Sequence, residues 1–276
     1  MGRISATIEI ARSSWKVLKA DKELMVLPVL SGLASAIIAA SFLLPLIGAT
    51  DGELEGASYV LLFVMYVVLS YVTIFFNAAL VSAAHERLSG GDPTVGSALR
   101  GAALRAGKIL PWALVSATVS IVLRAIEERG GALGRIVAGL AGMAWSVVTF
   151  LVLPIIVIEG LGVGDAIKGS GRLFKRTWGE NVAAQVGFSI LGLVAVLPAI
   201  VVGVAAGSAG LWPLVVVAVA WVVLVAIVIA TLSGIFQTAL YHYATKGSVP
   251  GDFYRDDAFS GAFAPRRRRD RGIPGF

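Results

Sequence analysis

The chain has 276 residues, of which 57% are hydrophobic and only 14% charged, and its formal net charge is +6. Soluble globular proteins carry about 25% charged residues, so this composition indicates that lipid surrounds most of the chain. The absence of cysteine excludes disulfides, thiolate zinc sites and cysteine nucleophiles. The two histidines, His85 and His242, are too few for a histidine-built metal site unless carboxylates supply the other ligands. We therefore predict no metal and no cofactor.

Six apolar runs approach or exceed the roughly 20 residues that cross about 30 Å of hydrocarbon. In chain order the predicted spans are Leu24–Gly48, Ser58–Ala84, Ile109–Ile126, Ile136–Ile158, Val182–Ala206 and Trp212–Leu240. The third is short because Lys108 and Arg124 border it, but both side chains can place their charges at the interfaces. The first run has a signal peptide as its alternative. Apolar sequence continues past the candidate cleavage site, which favours an uncleaved span.

The basic residues predict the orientation of these spans. The segments before span one, between spans two and three, between four and five, and after six hold 20 of the 23 Lys and Arg residues. Only Arg124, Arg129 and Arg135 lie on the other side. The positive-inside rule therefore predicts a multi-pass protein of the cytoplasmic membrane with both termini in the cytoplasm.

Two similar heptapeptides, VGSALRG from Val95 and VGDAIKG from Val163, follow spans two and four. Each begins a segment with helical spacing of apolar residues, such as Val163 and Ile167, and with bases on the opposite face. Asp92 and Pro93 provide an N-cap and a first-turn proline for the earlier segment. Such amphipathic helices are suited to the headgroup boundary.

A third segment of this kind opens the chain. Ile4, Ile8, Ala11, Trp15 and Leu18 share one predicted face. FNAAL, which starts at Phe76 and ends span two, is also similar to FQTAL, which starts at Phe236 and ends span six. We therefore predict an all-α membrane domain, 1–246, of three parallel units at about 1–86, 92–160 and 163–246. Each unit is an interfacial helix followed by a hairpin of two spans.

The opening GRISATIEIARSSWKVLKADKELMVLPVLSG, the run TFLVLPIIVIEGLGVGDAIKGSGRLFKRTWGEN and the terminal ALYHYATKG together resemble a bacterial family of six-span integral membrane proteins. That family is known only as a domain of unknown function. The layout is more distantly similar to the membrane domain of glycerophosphodiester phosphodiesterases, whose catalytic barrel has no counterpart in this chain. The resemblance implies a fold and transfers no catalytic residues.

Polar residues within or beside the spans are the candidates for chemistry, since each costs free energy in lipid unless it is paired or hydrated. Asn77, Gln185 and Gln237 form either a polar vestibule or hydrogen bonds between helices. Glu86 and Glu159 close spans two and four. Proton or cation binding is one candidate role, and an ion pair with Arg87 or Lys168 or a helix-end contact is the expected one. No nucleophile with a base and no glycine-rich phosphate loop is present, so an enzyme is not predicted.

The cytoplasmic bases predict contact with anionic lipid headgroups. This basic collar consists of Arg12, Lys16, Lys19, Arg100, Arg105, Lys108, Lys168, Arg172, Lys175 and Arg176. The tail 247–276, with consecutive arginines at Arg266–Arg269, is expected to be disordered and either binds lipid or fixes the topology. We predict a non-catalytic scaffold or lipid-interacting module, with a protein partner or a second copy as further partners and without nucleic acid. The alternative is a transporter or channel for a small or amphiphilic molecule.

Overall fold

The computed structural model describes residues 3–49, 56–176, 180–249 and 254, and it gives only the backbone at 3–11, 47–49, 57, 174–176 and 180–191. Every regular element within these ranges is helical. The elements are α1 Arg3–Ala20, a 3-10 turn Lys22–Met25, α2 Val26–Ala49, α3 Gly56–Leu88, α4 Val95–Ala103, α5 Ala106–Arg129, α6 Gly131–Thr149, α7 Val152–Pro154, a π-helical turn Ile155–Glu159, α8 Val163–Arg176, α9 Glu180–Ser208 and α10 Trp212–Lys246.

Five helical segments of the described chain are long and apolar enough to cross a membrane. They are Lys22–Leu46, Ser58–Leu88, Ala106–Arg129, Gly131–Glu159 and Trp212–Lys246. A shorter apolar stretch, Gly192–Ser208, forms the second part of α9. The prediction of an all-helical protein with several long apolar helices is confirmed, while the sixth span stays a prediction.

Local helix boundaries differ from the predicted ones at three places. Helix α4 begins after Thr94, whose hydroxyl accepts from the Ser97 amide in a capping box, so the N-cap is Thr94 and the Asp92 prediction is wrong. Helix α4 ends at Ala103, and the chain turns before Ala106 starts α5. The predicted fourth span is interrupted between α6 and α7, because a proline at 154 cannot donate the amide that a continuous helix requires.

The buried core lies at one end of the long helices. It is formed by the last turns of α3 and α10, residues 151–157, the 3-10 turn and the faces of α4 and α8. The helices approach closely here: a Cβ on Gly234 of α10 would overlap with the side chain of Leu80 of α3. At the other end of the helices large apolar side chains are exposed, such as Val60 at 63% and Val216 at 67%. These surfaces are suited to contact with acyl chains.

Candidate functional site

The interrupted fourth span lies in the buried core and accepts hydrogen bonds from polar side chains of neighbouring helices. In an α-helix the carbonyl of residue 150 accepts from the amide of residue 154, and Pro154 has no amide hydrogen. The side-chain amide of Gln237, on α10, donates to the Phe150 carbonyl instead. A carbonyl that the proline leaves without a backbone donor is therefore satisfied by a neighbouring helix, as membrane interiors require.

Ser170 of α8 makes two further hydrogen bonds to the backbone of the interrupted helix. Its hydroxyl accepts from the Leu151 amide at 3.1 Å and donates to the Val148 carbonyl at 2.5 Å. The side chain is 1% exposed, and Ala166, one turn earlier on α8, is fully buried. Small residues thus bring α8 close enough for a short hydroxyl to reach the backbone of the broken helix.

The end of the same span is capped by two bases of the predicted collar. The Nε of Arg105 donates to the Val157 carbonyl at 3.2 Å, and the Nζ of Lys108 donates to the Gly160 carbonyl. Cations stabilise the carbonyl end of a helix because its dipole is negative there. Gly160 itself has φ +67°, the left-handed conformation that commonly ends helices.

The two histidines of the chain lie together in this core. The Nδ1 of His85 on α3 and the Nε2 of His242 on α10 are 2.9 Å apart. The ring centres are 4.9 Å apart and the ring planes differ by 13°. The rings are therefore stacked with an offset, and one N–H···N hydrogen bond joins them. The Nδ1 of His242 is buried without a hydrogen-bond partner.

Both candidate carboxylates accept hydrogen bonds from hydroxyl groups. Glu86 accepts from Ser97 at 2.9 Å, and Glu159 accepts from Tyr241 at 2.5 Å. Within the described chain neither carboxylate is in an ion pair. Ser97 lies in the first turn of α4, so the Glu86 bond is a helix-end contact.

The guanidinium of Arg87 is engaged elsewhere. Its Nε lies 3.0 Å from Asp21 and its NH1 lies 3.3 Å from Asp92, which ties the start of the first span to the loop after α3. Burial raises the pKa of Asp21, and the positive charge of Arg87 offsets part of that rise.

The remaining collar residues face outward where their side chains are described. The exposed ones are Arg12, Lys16, Lys19, Arg100, Lys168 and Arg172. The side chains of Lys175 and Arg176, like that of Gln185, lie outside the described residues.

The predicted apolar faces of the short helices are only partly correct. On α1, Leu18 is buried, but Trp15 is 42% exposed and the fully buried positions are Ser14 and Val17. Val163 and Ile167 of α8 pack against the protein core. The described part of these faces packs largely against the protein core. The side chains of Ile4, Ile8 and Ala11 lie outside the described residues.

The three predicted amides do not form one cluster within the described part of the chain. Asn77 is exposed on α3, whereas Gln237 is half-buried and bonded to a carbonyl. The residues that sequence reasoning missed are Ser170, Phe150 and the histidine pair. The missing amide of Pro154 signals that a donor is needed, but nothing in the sequence says which helix supplies it.

Comparison with known proteins gives a family without an assigned role. No curated protein and no solved structure matches the chain. The model of DUF6159, a family of unknown function, matches residues 56–251, which is well over half of the 276 residues. The match covers the interrupted span, both histidines and the helix ends that form the polar core. The chain therefore belongs to DUF6159, a family of unknown function.

Proposed function

We propose that this protein is a non-catalytic scaffold of the cytoplasmic membrane whose basic collar binds anionic lipid. In this proposal six spans form three hairpin units, each preceded by a short basic helix, and both termini lie in the cytoplasm. We also propose that the layout of these spans is distantly similar to that of the membrane domain of glycerophosphodiester phosphodiesterases.

The observation that carries the proposal is the pairing of exposed bases with exposed apolar side chains. Trp15 is 42% exposed, and the Nζ of Lys19 lies 5.9 Å from the centre of its ring. Leu104 is 77% exposed beside Arg100. Apolar groups that enter the acyl boundary while neighbouring bases contact phosphate are typical of interfacial attachment.

The transport alternative has less support. It requires the amides of Asn77, Gln185 and Gln237 to converge on a hydrated path. Gln237 instead bonds the backbone of a packed, interrupted helix, while Asn77 faces outward. Both positions fit contacts that hold helices together or meet lipid headgroups.

The test is native mass spectrometry of the full chain titrated with phosphatidylglycerol or phosphatidylcholine. Each base near an anionic surface contributes about 1 kcal/mol. The double variant Lys168→Gln/Arg172→Gln should therefore bind phosphatidylglycerol about 30-fold more weakly. The charge-conserving control Lys168→Arg/Arg172→Lys should bind as the wild type does. Equal binding of both lipids, or no effect of charge removal, contradicts the proposal.

The topology has an independent test because the chain contains no cysteine. Single cysteines introduced as Ser248→Cys and Ala132→Cys provide unique labels for a membrane-impermeant maleimide. In intact cells only the second should react, and in inverted vesicles only the first. Labelling of both from one side contradicts the proposed orientation.

A further inference from the structure

A second polar site lies at the end of α5 and α6 remote from the collar. An open groove of about 680 Å³ is lined there by Arg124, Glu127, Glu128 and Arg135. At about 1.5 Å rise per residue, Arg124 is about 24 Å along α5 from Lys108. The sequence leaves only three bases outside the cytoplasmic segments, and this groove gathers two of them.

The groove has bonding capacity that the protein does not use. The Nε of Arg124 lies 3.2 Å from Glu128, but these side chains are 80% and 67% exposed, so the pair contributes little. Among the described residues no ion pair includes Glu127 or Arg135. The four charges sum to zero, so the lining favours a ligand that carries both signs over a net anion.

Small residues make room beneath this charged rim. Ala138 is 6% exposed and lines the groove beside Gly139. A Cβ built on Gly139 would meet nothing within 4 Å, so the space above it is open. Leu123 adds an apolar wall. The volume lies within the range of about 300–1,000 Å³ that small-molecule sites occupy.

We propose that this groove binds the headgroup of a zwitterionic phospholipid that carries a primary ammonium. Guanidinium groups match phosphate in bidentate geometry, which assigns the phosphate to Arg135 and Arg124. The ammonium donates to Glu127, and the first carbons of the acyl chains lie over Gly139. The groove lies at the end of a membrane-crossing helix, the depth at which headgroups are found. A quaternary ammonium has no N–H to donate, so phosphatidylcholine lacks the bond to Glu127.

The experiment is competitive native mass spectrometry of the delipidated full chain with phosphatidylethanolamine and phosphatidylcholine. We expect phosphatidylethanolamine to bind about tenfold more tightly than phosphatidylcholine. Glu127→Gln should remove this preference, and Arg135→Gln should weaken the binding of both lipids about tenfold. Gly139→Leu should abolish binding by filling the groove. Arg129→Gln and Ala141→Leu are matched controls outside the groove lining and should bind as the wild type does. Thermal unfolding of each variant verifies that it is folded.

Three results with the two lipids would overturn the proposal. They are equal binding of the two lipids, wild-type binding by folded Glu127→Gln or Arg135→Gln, and loss of binding in the control variants. Glycerophosphoethanolamine, which has the headgroup without acyl chains, provides a further arm. If it displaces the lipid at equal concentration, the ligand is a free zwitterion and the lipid assignment is wrong. Because these lipids carry no net charge, the outcome is separate from that of the collar titration.

Discussion

Removing the side-chain amide at position 237 tests whether Gln237 stabilises the interrupted span by its hydrogen bond to the Phe150 carbonyl. Gln237→Leu keeps the size of the side chain but leaves the Phe150 carbonyl without its donor. A buried polar group that loses its partner costs about 1–3 kcal/mol. Hydrogen bonds between membrane helices average about 0.6 kcal/mol and reach about 1.7 kcal/mol. We therefore expect Gln237→Leu to lower the free energy of unfolding by about 1–2 kcal/mol.

A second substitution separates this bond from a general packing effect. The backbone around residue 154 is α-helical, and the next amide, of Ile155, bonds the Leu151 carbonyl at 3.1 Å. An alanine at 154 therefore places a new amide opposite the Phe150 carbonyl. In the Pro154→Ala background the cost of Gln237→Leu should fall to less than about 0.5 kcal/mol, which is a measurable coupling in a double-mutant cycle.

The assay is reversible unfolding of the four proteins in mixed micelles by titration with sodium dodecyl sulfate, followed by tryptophan fluorescence. Asn77→Leu is the matched control, because sequence similarity pairs Asn77 with Gln237 but Asn77 is exposed. Its effect should lie within about 0.5 kcal/mol of zero. Additive effects of Pro154→Ala and Gln237→Leu would refute the reasoning, because the two changes would then act on different groups.

Two further predictions concern the same end of the molecule. Gly160→Ala should destabilise the protein by about 2 kcal/mol, because alanine is strained at φ +67° and its Cβ would lie 2.7 Å from NH1 of Arg105. Gly164→Ala, which meets nothing within 4 Å, should be neutral in the same unfolding assay, and an equal loss would contradict this account. Burial raises the pKa of Tyr254, whose hydroxyl lies 2.8 Å from that of Ser14. The neutral phenol is therefore favoured in the folded state. Its contribution to the free energy of unfolding is complete below about pH 10 and is lost as the pH rises further. Thermal unfolding midpoints between pH 8 and 11 should fall more steeply in the wild type than in Tyr254→Phe, and parallel curves would exclude this role.

The long helices and their approximate ends follow from the sequence because lipid imposes a minimum apolar length on any segment that crosses it. Similar helix starts at Val95 and Val163 were also predictable, since amphipathic spacing is a local property of the chain. The N-cap at Thr94 was missed because Asp92, two residues earlier, is also a suitable N-cap, and only the backbone path decides between them.

What only the tertiary structure decides is which polar groups meet. Asn77 and Gln237 occupy similar sequence contexts, yet one is exposed and the other bonds an interrupted helix. His85 and His242 are separated by 157 residues and share a hydrogen bond. The sequence by itself determined the number of long apolar helices to within one and the uneven distribution of charge. The donor to the Phe150 carbonyl depended on how α10 packs against the break, because hydrogen bonds require atoms within about 3 Å and sequence separation does not limit which atoms meet.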